Sequence, residues 1–246
     1  MDFRNLRLYQ PDGSFHTGEL VLSGDRSAAT PASADACDWD RLYAIPGLID
    51  MHVLGCAGRA FSEATEEALS VMARYQADNG ICAFCPATMA APESQLAAMM
   101  QAAASYRTEH CGAVLAGVYL EGPFLSESRR GSQNSAYLQK PDANLFRRLQ
   151  EHAQGLIRLC ALAPELPGGL EMIDELVGEV RLSLAHTESD YDTACEAFRR
   201  GAREVTHLFN AMPPMTHREP GIIGAALDND LVGVELIADG VHVHPA

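Results

Sequence analysis

The sequence has no apolar stretch approaching the ~20 residues that a membrane-crossing helix requires, so no such helix is expected. Its N-terminus, Met1-Asp2-Phe3-Arg4-Asn5-Leu6-Arg7, lacks the basic-then-apolar layout of a secretory signal. Cysteine is sparse: there are seven, an odd number, scattered through apolar segments such as Ile81-Cys82-Ala83-Phe84-Cys85. That pattern excludes a disulfide framework and points to a reducing, cytoplasmic compartment. Basic residues are outnumbered 18 to 33 by acidic ones, giving a formal net charge of −15. Such a surface repels phosphate backbones and argues against nucleic acid as a partner. A phosphorylated small molecule is still allowed, because one local arginine can hold a phosphate on an acidic protein. No glycine-rich phosphate loop follows the first strong strand candidate, which counts against a dinucleotide-binding sheet.

What is present is an ordinary globular composition, 47% hydrophobic over 246 residues, enough for one barrel or two modest domains. Before about Tyr43 the pieces are short. Phe3 to Tyr9 alternates like a strand, Pro11-Asp12-Gly13 signals a turn, Glu19 to Leu22 suits a second strand, and Ser27 to Ala36 reads as loop. From Ile45 the rhythm changes. Apolar runs at Ile45–Val53, Ile81–Thr88, Ala113–Leu120, Ile157–Ala163, Val180–His186, Glu204–Phe209 and Leu231–Ala238 predict strands. Helical patterns fall between them at Glu63–Asn79, Pro92–Arg107, Pro141–His152, Gly169–Val177, Tyr191–Arg200 and Gly221–Asp228. Strands apolar on both faces, each followed by a helix, imply a parallel sheet with helices packed outside. Seven strands are countable. A closed β/α barrel has eight, with its active site at their C-terminal ends; an open doubly wound sheet is the alternative.

Several of these strands end in a side chain able to hold a metal. His52 ends the first, Glu121 the third, His186 the fifth, and His207 lies in the sixth. Each alone has a plain structural explanation, as a hydrogen-bonded histidine or a capping carboxylate. At several strand ends of a barrel they become neighbours. Two neutral imidazoles and a carboxylate suit one divalent metal ion, zinc or ferrous iron, with a position left for water. Other features carry less. Cys82-x-x-Cys85 lies inside a buried strand and reads as packing, Met99-Met100 as core, and His217 as a solvated loop residue.

The segments Pro46-Gly47-Leu48-Ile49-Asp50, Leu120-Glu121-Gly122-Pro123, Thr206-His207-Leu208-Phe209-Asn210-Ala211-Met212, Arg218-Glu219-Pro220-Gly221 and Ala238-Asp239-Gly240-Val241-His242 occur here in order. Together they resemble the N-acetylglucosamine-6-phosphate deacetylase family of the amidohydrolase superfamily, over nearly all of Ile45 to Ala246. The resemblance implies an α/β fold: a parallel β/α barrel of the amidohydrolase type over residues 45–246, incomplete at about seven of eight strands. Residues 1–44 would form part of a small β-sandwich module. Glu121, His186 and His207 would hold the metal. Ser132, Asn210, Ala211, Asp239 and Gly240 would lie against substrate, Arg218 would take the sugar phosphate, and His242 would polarise the acetamide carbonyl. The implied reaction is hydrolysis of the N-acetyl group of N-acetylglucosamine 6-phosphate, by a homodimer whose partner helps bind the phosphate.

Three departures qualify that expectation. The family's acid/base aspartate follows the eighth strand, and this sequence ends at His244-Pro245-Ala246. A catalytically impaired fragment, or a non-catalytic protein binding metal and sugar phosphate, is therefore the competing expectation. Binuclear relatives carry His-x-His in the first strand, where this chain has His52-Val53-Leu54; leucine cannot ligate, so one metal is expected rather than two. Gln133 stands where the family usually has a histidine near the sugar phosphate, which leaves an isomeric substrate such as the galactosamine form open.

Overall fold

The computed structural model describes residues 1–23, 26–28, 33, 35–40, 42–106 and 112–246, with only the backbone of 26–28. The chain divides into two compact units, Met1–Leu48 and Ile49–Ala246.

The first unit is a five-stranded sheet. Its strands are β1 (Asp2–Tyr9), β2 (Phe15–Ser23), β3 (Arg26–Ala28), β4 (Cys37–Asp38) and β5 (Tyr43–Ala44). β1 and β2 form an antiparallel hairpin. Its turn is made by Gly13 at φ +83° and by the Asp12 carboxylate, which accepts from the Ser14 N–H at 2.9 Å. β4 and β5 run parallel to β1. Phe3 and Leu6 are buried, and the Phe3 ring meets that of Trp39 at 4.6 Å between centroids. The predicted loop from Ser27 is partly corrected: Arg26–Ala28 pair with β2 as a short strand, because edge pairing outweighs the local composition. Residues 29–32 and 34 lie outside the described residues.

In the second unit strands and helices alternate. β6 (Leu48–Val53) leads into a two-stranded excursion, β7 (Gly55–Cys56) and β8 (Arg59–Ala60). There follow α1 (Glu66–Asp78), β9 (Ile81–Pro86), α2 (Glu93–Ser105), β10 (Val114–Leu115), β11 (Val118–Leu120), α3 (Ala143–His152) and β12 (Ile157–Leu162). The remaining elements are α4 (Gly169–Leu176), β13 (Arg181–Leu184), α5 (Tyr191–Arg200), β14 (Glu204–Val205), α6 (Gly221–Leu227) and β15 (Gly233–Val234). The helices start where the sequence supplies caps. Thr65 accepts from the Ala68 N–H ahead of α1, Asp142 from Asn144 ahead of α3, and Asp190 from Thr193 ahead of α5. α5 ends on Arg199 and Arg200, whose charges suit the negative end of the helix dipole.

Apart from the antiparallel β7–β8 hairpin, the described strands of this unit lie side by side in chain order. β6 neighbours β9, β9 pairs β10, and β11 through β15 form a continuous run. The pairings β9–β10 and β11 to β15 are parallel, and an Ala87–Tyr119 bridge joins the two groups. In the central strands β11 to β14 both faces are buried. Leu120, Cys160, Leu162, Leu182 and Leu184 pack toward the helices with Phe84, Met100 and Phe146. Tyr119, Leu159, Ala161 and Ala185 form a smaller cluster with Cys85. This is the packing expected of near-continuous apolar strands covered on both sides.

Most predicted elements appear with trimmed ends. The strand predicted over Ala113–Leu120 is two pieces, interrupted at Ala116 and Gly117. The sixth, predicted to Phe209, stops at Val205 because the backbone then turns left-handed at His207 (φ 35°), Phe209 (φ 78°) and Ala211 (φ 54°). The fifth stops at Leu184, before His186 at φ 46°. No helix is long and apolar enough to cross a membrane among the described residues.

Candidate metal centre

Those left-handed turns place the site. At His186 and His207 the chain leaves its strand in a conformation that costs a non-glycine residue roughly 1–3 kcal/mol. Both side chains thereby swing over the C-terminal end of the sheet. Each is then fixed through its own ring. His186 Nδ1 lies 2.8 Å from the Arg129 carbonyl oxygen, and His207 Nδ1 3.1 Å from that of Asn210. A carbonyl can only accept, so each Nδ1 carries the hydrogen and each Nε2 presents a lone pair.

The two Nε2 atoms lie 3.1 Å apart, and Glu121 Oε1 is 3.2 Å from the first and 3.4 Å from the second. All three residues are buried. Their ligand atoms fall within 4.8 Å of one another. Two neutral nitrogen lone pairs and a carboxylate oxygen facing one point repel one another unless a positive charge lies between them. The donor set therefore fits a divalent cation of the kind served by mixed nitrogen and oxygen ligands.

The opposite carboxylate oxygen, Glu121 Oε2, faces a different set. Gln133 Nε2 donates to it at 3.2 Å, and His52 Nε2 lies 3.3 Å away. His52 Nδ1 in turn lies 2.9 Å from Glu235 Oε2. Burial opposes charge on His52, but hydrogen bonds to Glu121 and Glu235 outweigh it and push the imidazole up to about 10. Burial likewise works against ionised Glu121, yet the imidazoles of His186, His207 and His52 placed against its two oxygens hold it well below the usual carboxylate range. The Glu121 backbone is also secured. Its N–H donates to Thr88 Oγ1 at 3.0 Å, and its carbonyl accepts from the same hydroxyl at 3.1 Å.

These residues floor a cleft of about 1010 Å³, which Asp50, Ser132, Gln133, Asn210, Ala211, Asp239 and His242 also line. Asp239 and His242 form a dyad, with His242 Nδ1 2.7 Å from Asp239 Oδ2. Backbone N–H groups of His242 and Val241 and the His242 ring lower the Asp239 carboxyl to about 2. Gly240, at φ +75°, makes the turn between them. Of the residues singled out in the sequence, Glu121, His186 and His207 come together, with Ser132, Asn210, Ala211, Asp239 and His242 around one cleft. Arg218 is placed elsewhere. It lines a second cavity of about 640 Å³ with Glu188, Asp190, Asp192 and Glu219. His217 is exposed.

Sequence reasoning missed Glu235 and Thr88. Glu235 interrupts the apolar run Leu231-Val232-Gly233-Val234-Glu235-Leu236-Ile237, and a lone carboxylate in an apolar run was a usable signal. Thr88 left none, since a threonine at a strand end is ordinary.

A parallel α/β unit that brings a buried Glu-His-His group of metal-ligand chemistry to its strand ends defines the class of protein. No protein-family model matches the chain. It is similar, at 32–38% identity, to N-acetylglucosamine-6-phosphate deacetylases and to an N-acetylgalactosamine-6-phosphate deacetylase. The chain is 37% identical over 206 residues to the Bacillus subtilis N-acetylglucosamine-6-phosphate deacetylase, covering 82% of this chain and 52% of that protein. It is 32% identical over 246 residues to the N-acetylgalactosamine-6-phosphate deacetylase of Escherichia coli O157:H7, covering 99% and 65%. A Mycobacterium smegmatis N-acetyl-D-glucosamine-6-phosphate deacetylase mutant, solved in complex with N-acetyl-D-glucosamine-6-phosphate, superposes with a TM-score of 0.91 at 30% identity. That match covers 100% of this chain and 65% of the other. The chain thus spans between about half and two thirds of the length of these relatives.

Proposed function

We propose that this chain carries the metal-binding part of a deacetylase acting on N-acetylglucosamine 6-phosphate, yielding glucosamine 6-phosphate and acetate. The observation that carries the reading is the convergence of Glu121, His186 and His207, far apart in sequence, on one point in a cleft. Homology to deacetylases over most of the chain supports it. The seven consecutive strand positions would be those of a β/α barrel in residues 45–246, with residues 1–44 contributing to a β-sandwich module.

Glu121, His186 and His207 would hold the cation, zinc or ferrous iron. When bound, a divalent metal supplies a water acidified toward neutrality and an electrophile for the acetamide oxygen. The chain's own residues do the rest. Asp239 Oδ2 accepts from His242 Nδ1 and so orients a ring that lines the cleft; to polarise the acetamide carbonyl His242 would donate from Nε2, which requires a hydrogen on both ring nitrogens. Ser132, Asn210 and Ala211 line the cleft and would border the sugar, and Gly240 would shape the adjoining turn. The departing amine must receive a proton, because an amine anion is a very poor leaving group. His52, held between Glu121 and Glu235, is a cationic group beside the centre and would be the source of that proton. Arg218 would bind the sugar phosphate, and since it does not line the metal cleft, a homodimer that brings in a partner's arginine accommodates that role.

The test is metal analysis of purified protein paired with an acetate-release assay on N-acetylglucosamine 6-phosphate and its galactosamine isomer. Stoichiometric metal with acetate release supports the deacetylase. Stoichiometric metal without acetate from either sugar favours a metal- and sugar-phosphate-binding protein, and folded protein that takes up no metal removes both readings.

A further inference from the structure

Glu121 is a forked ligand, and nothing in a carboxylate alone decides which oxygen turns to the histidines. Gln133 supplies that decision. Its side chain is 3% exposed and bridges two elements. Gln133 Oε1 accepts from the Ala90 backbone N–H at 2.6 Å, and Nε2 donates to Glu121 Oε2 at 3.2 Å. The amide cannot be reversed. A backbone N–H can only donate and an ionised carboxylate can only accept, so the oxygen must face Ala90 and the nitrogen must face Glu121.

The loop that carries Gln133 is itself tied to the centre. The Gln133 N–H donates to the Arg130 carbonyl at 2.9 Å, Arg129 supplies the carbonyl that fixes His186 Nδ1, and a Cβ on Gly131 would stand 3.4 Å from the His186 ring. A single short segment, Arg129 to Gln133, therefore sets the direction of two of the three ligands. We infer that Gln133 is a positioning residue: it occupies Glu121 Oε2 and leaves Oε1 alone for the cation. This inference rests on the metal-binding reading above.

The neutrality of the glutamine matters here. An amide N–H steadies the carboxylate without taking away its charge, and it leaves the oxygen facing the histidines as the available acceptor. Without that donor Glu121 Oε2 keeps only the His52 ring at 3.3 Å, and the carboxylate is held from one side instead of two.

The test uses the full chain with Gln133→Met and Gln133→Leu, apolar side chains of similar size that remove the donor; the second stands in should the first fail to fold. Metal affinity is measured by chelator competition, and the visible absorption of cobalt(II)-loaded protein is recorded at saturation. The expected result is 10–100-fold weaker binding, the usual effect of losing a group that orients a ligand, together with an altered cobalt spectrum that reports a changed ligand set. Affinity reduced less than tenfold overturns the inference, as does weaker binding with an unchanged spectrum at saturation. If the unsubstituted protein binds no cobalt or zinc, the metal-binding reading falls and this inference falls with it.

Discussion

Replacing His207 with alanine removes one of three donors that lie within 4.8 Å of one another and leaves Glu121 and His186 in place. Structural zinc sites with four ligands provide about 10–16 kcal/mol, so one ligand accounts for about 3–4 kcal/mol, or about 10²–10³ in affinity. That loss can be read as a thermal shift. With metal at a hundredfold excess over its dissociation constant, the unsubstituted protein gains about 2.7 kcal/mol. For a unit of this size that is about 5–11 °C in Tm. At the same metal concentration a variant weakened a hundredfold gains about 0.4 kcal/mol, about 1 °C. Each variant is compared with itself in the presence of a chelator, so any cost of alanine at the left-handed φ of His207 cancels. His217→Ala, a change at an exposed position outside the cleft, should keep the full shift. Equal shifts in the two variants, whether both retained or both lost, would refute the assignment of His207.

Three further outcomes follow from the same geometry. Thr88→Val strips the hydroxyl that serves both backbone groups of Glu121; the N–H keeps the Tyr119 carbonyl at 3.1 Å, so the cost should be about 1–3 kcal/mol in urea unfolding for the carbonyl left without its donor, with weaker metal retention. Gly122→Ala should destabilise by more than about 1 kcal/mol, because φ is +82° and the added Cβ would meet the Ala90 nitrogen at 2.9 Å; an unchanged urea midpoint would contradict this. The Asp239 carboxyl, lowered to about 2, favours the folded state above its ordinary value of 3.8, and that contribution is lost as the pH falls through about 2. Carboxyl NMR should show this low titration point, and in Asp239→Asn the His242 ring should lose its fixed orientation; a titration near 3.8 would show that the dyad does not form in solution.

Much of this protein was legible in one dimension. The strand and helix alternation of residues 45–246 could be read because apolar runs and helical patterns are local signals, and capping residues such as Thr65, Asp142 and Asp190 mark helix starts within a few positions. Glu121, His186 and His207 were readable as candidates because each interrupts or ends such a run, and a buried polar group needs a reason to be there. The segment beginning at Ser27 misled because pairing with β2 depends on the partner strand, which the local composition does not contain.

What the sequence determined by itself was therefore the order of elements and the residue types available for chemistry. Tertiary structure alone decided which atoms face one another. It fixed the tautomers of His186 and His207 through the carbonyls of Arg129 and Asn210, and it assigned the two oxygens of Glu121 to different neighbours. It also set Glu235 against His52 and placed Arg218 at a separate cavity. These contacts join residues as many as 183 positions apart. They depend on strand register and on a few left-handed turns, quantities set by the packing of the whole sheet rather than by any window of the chain.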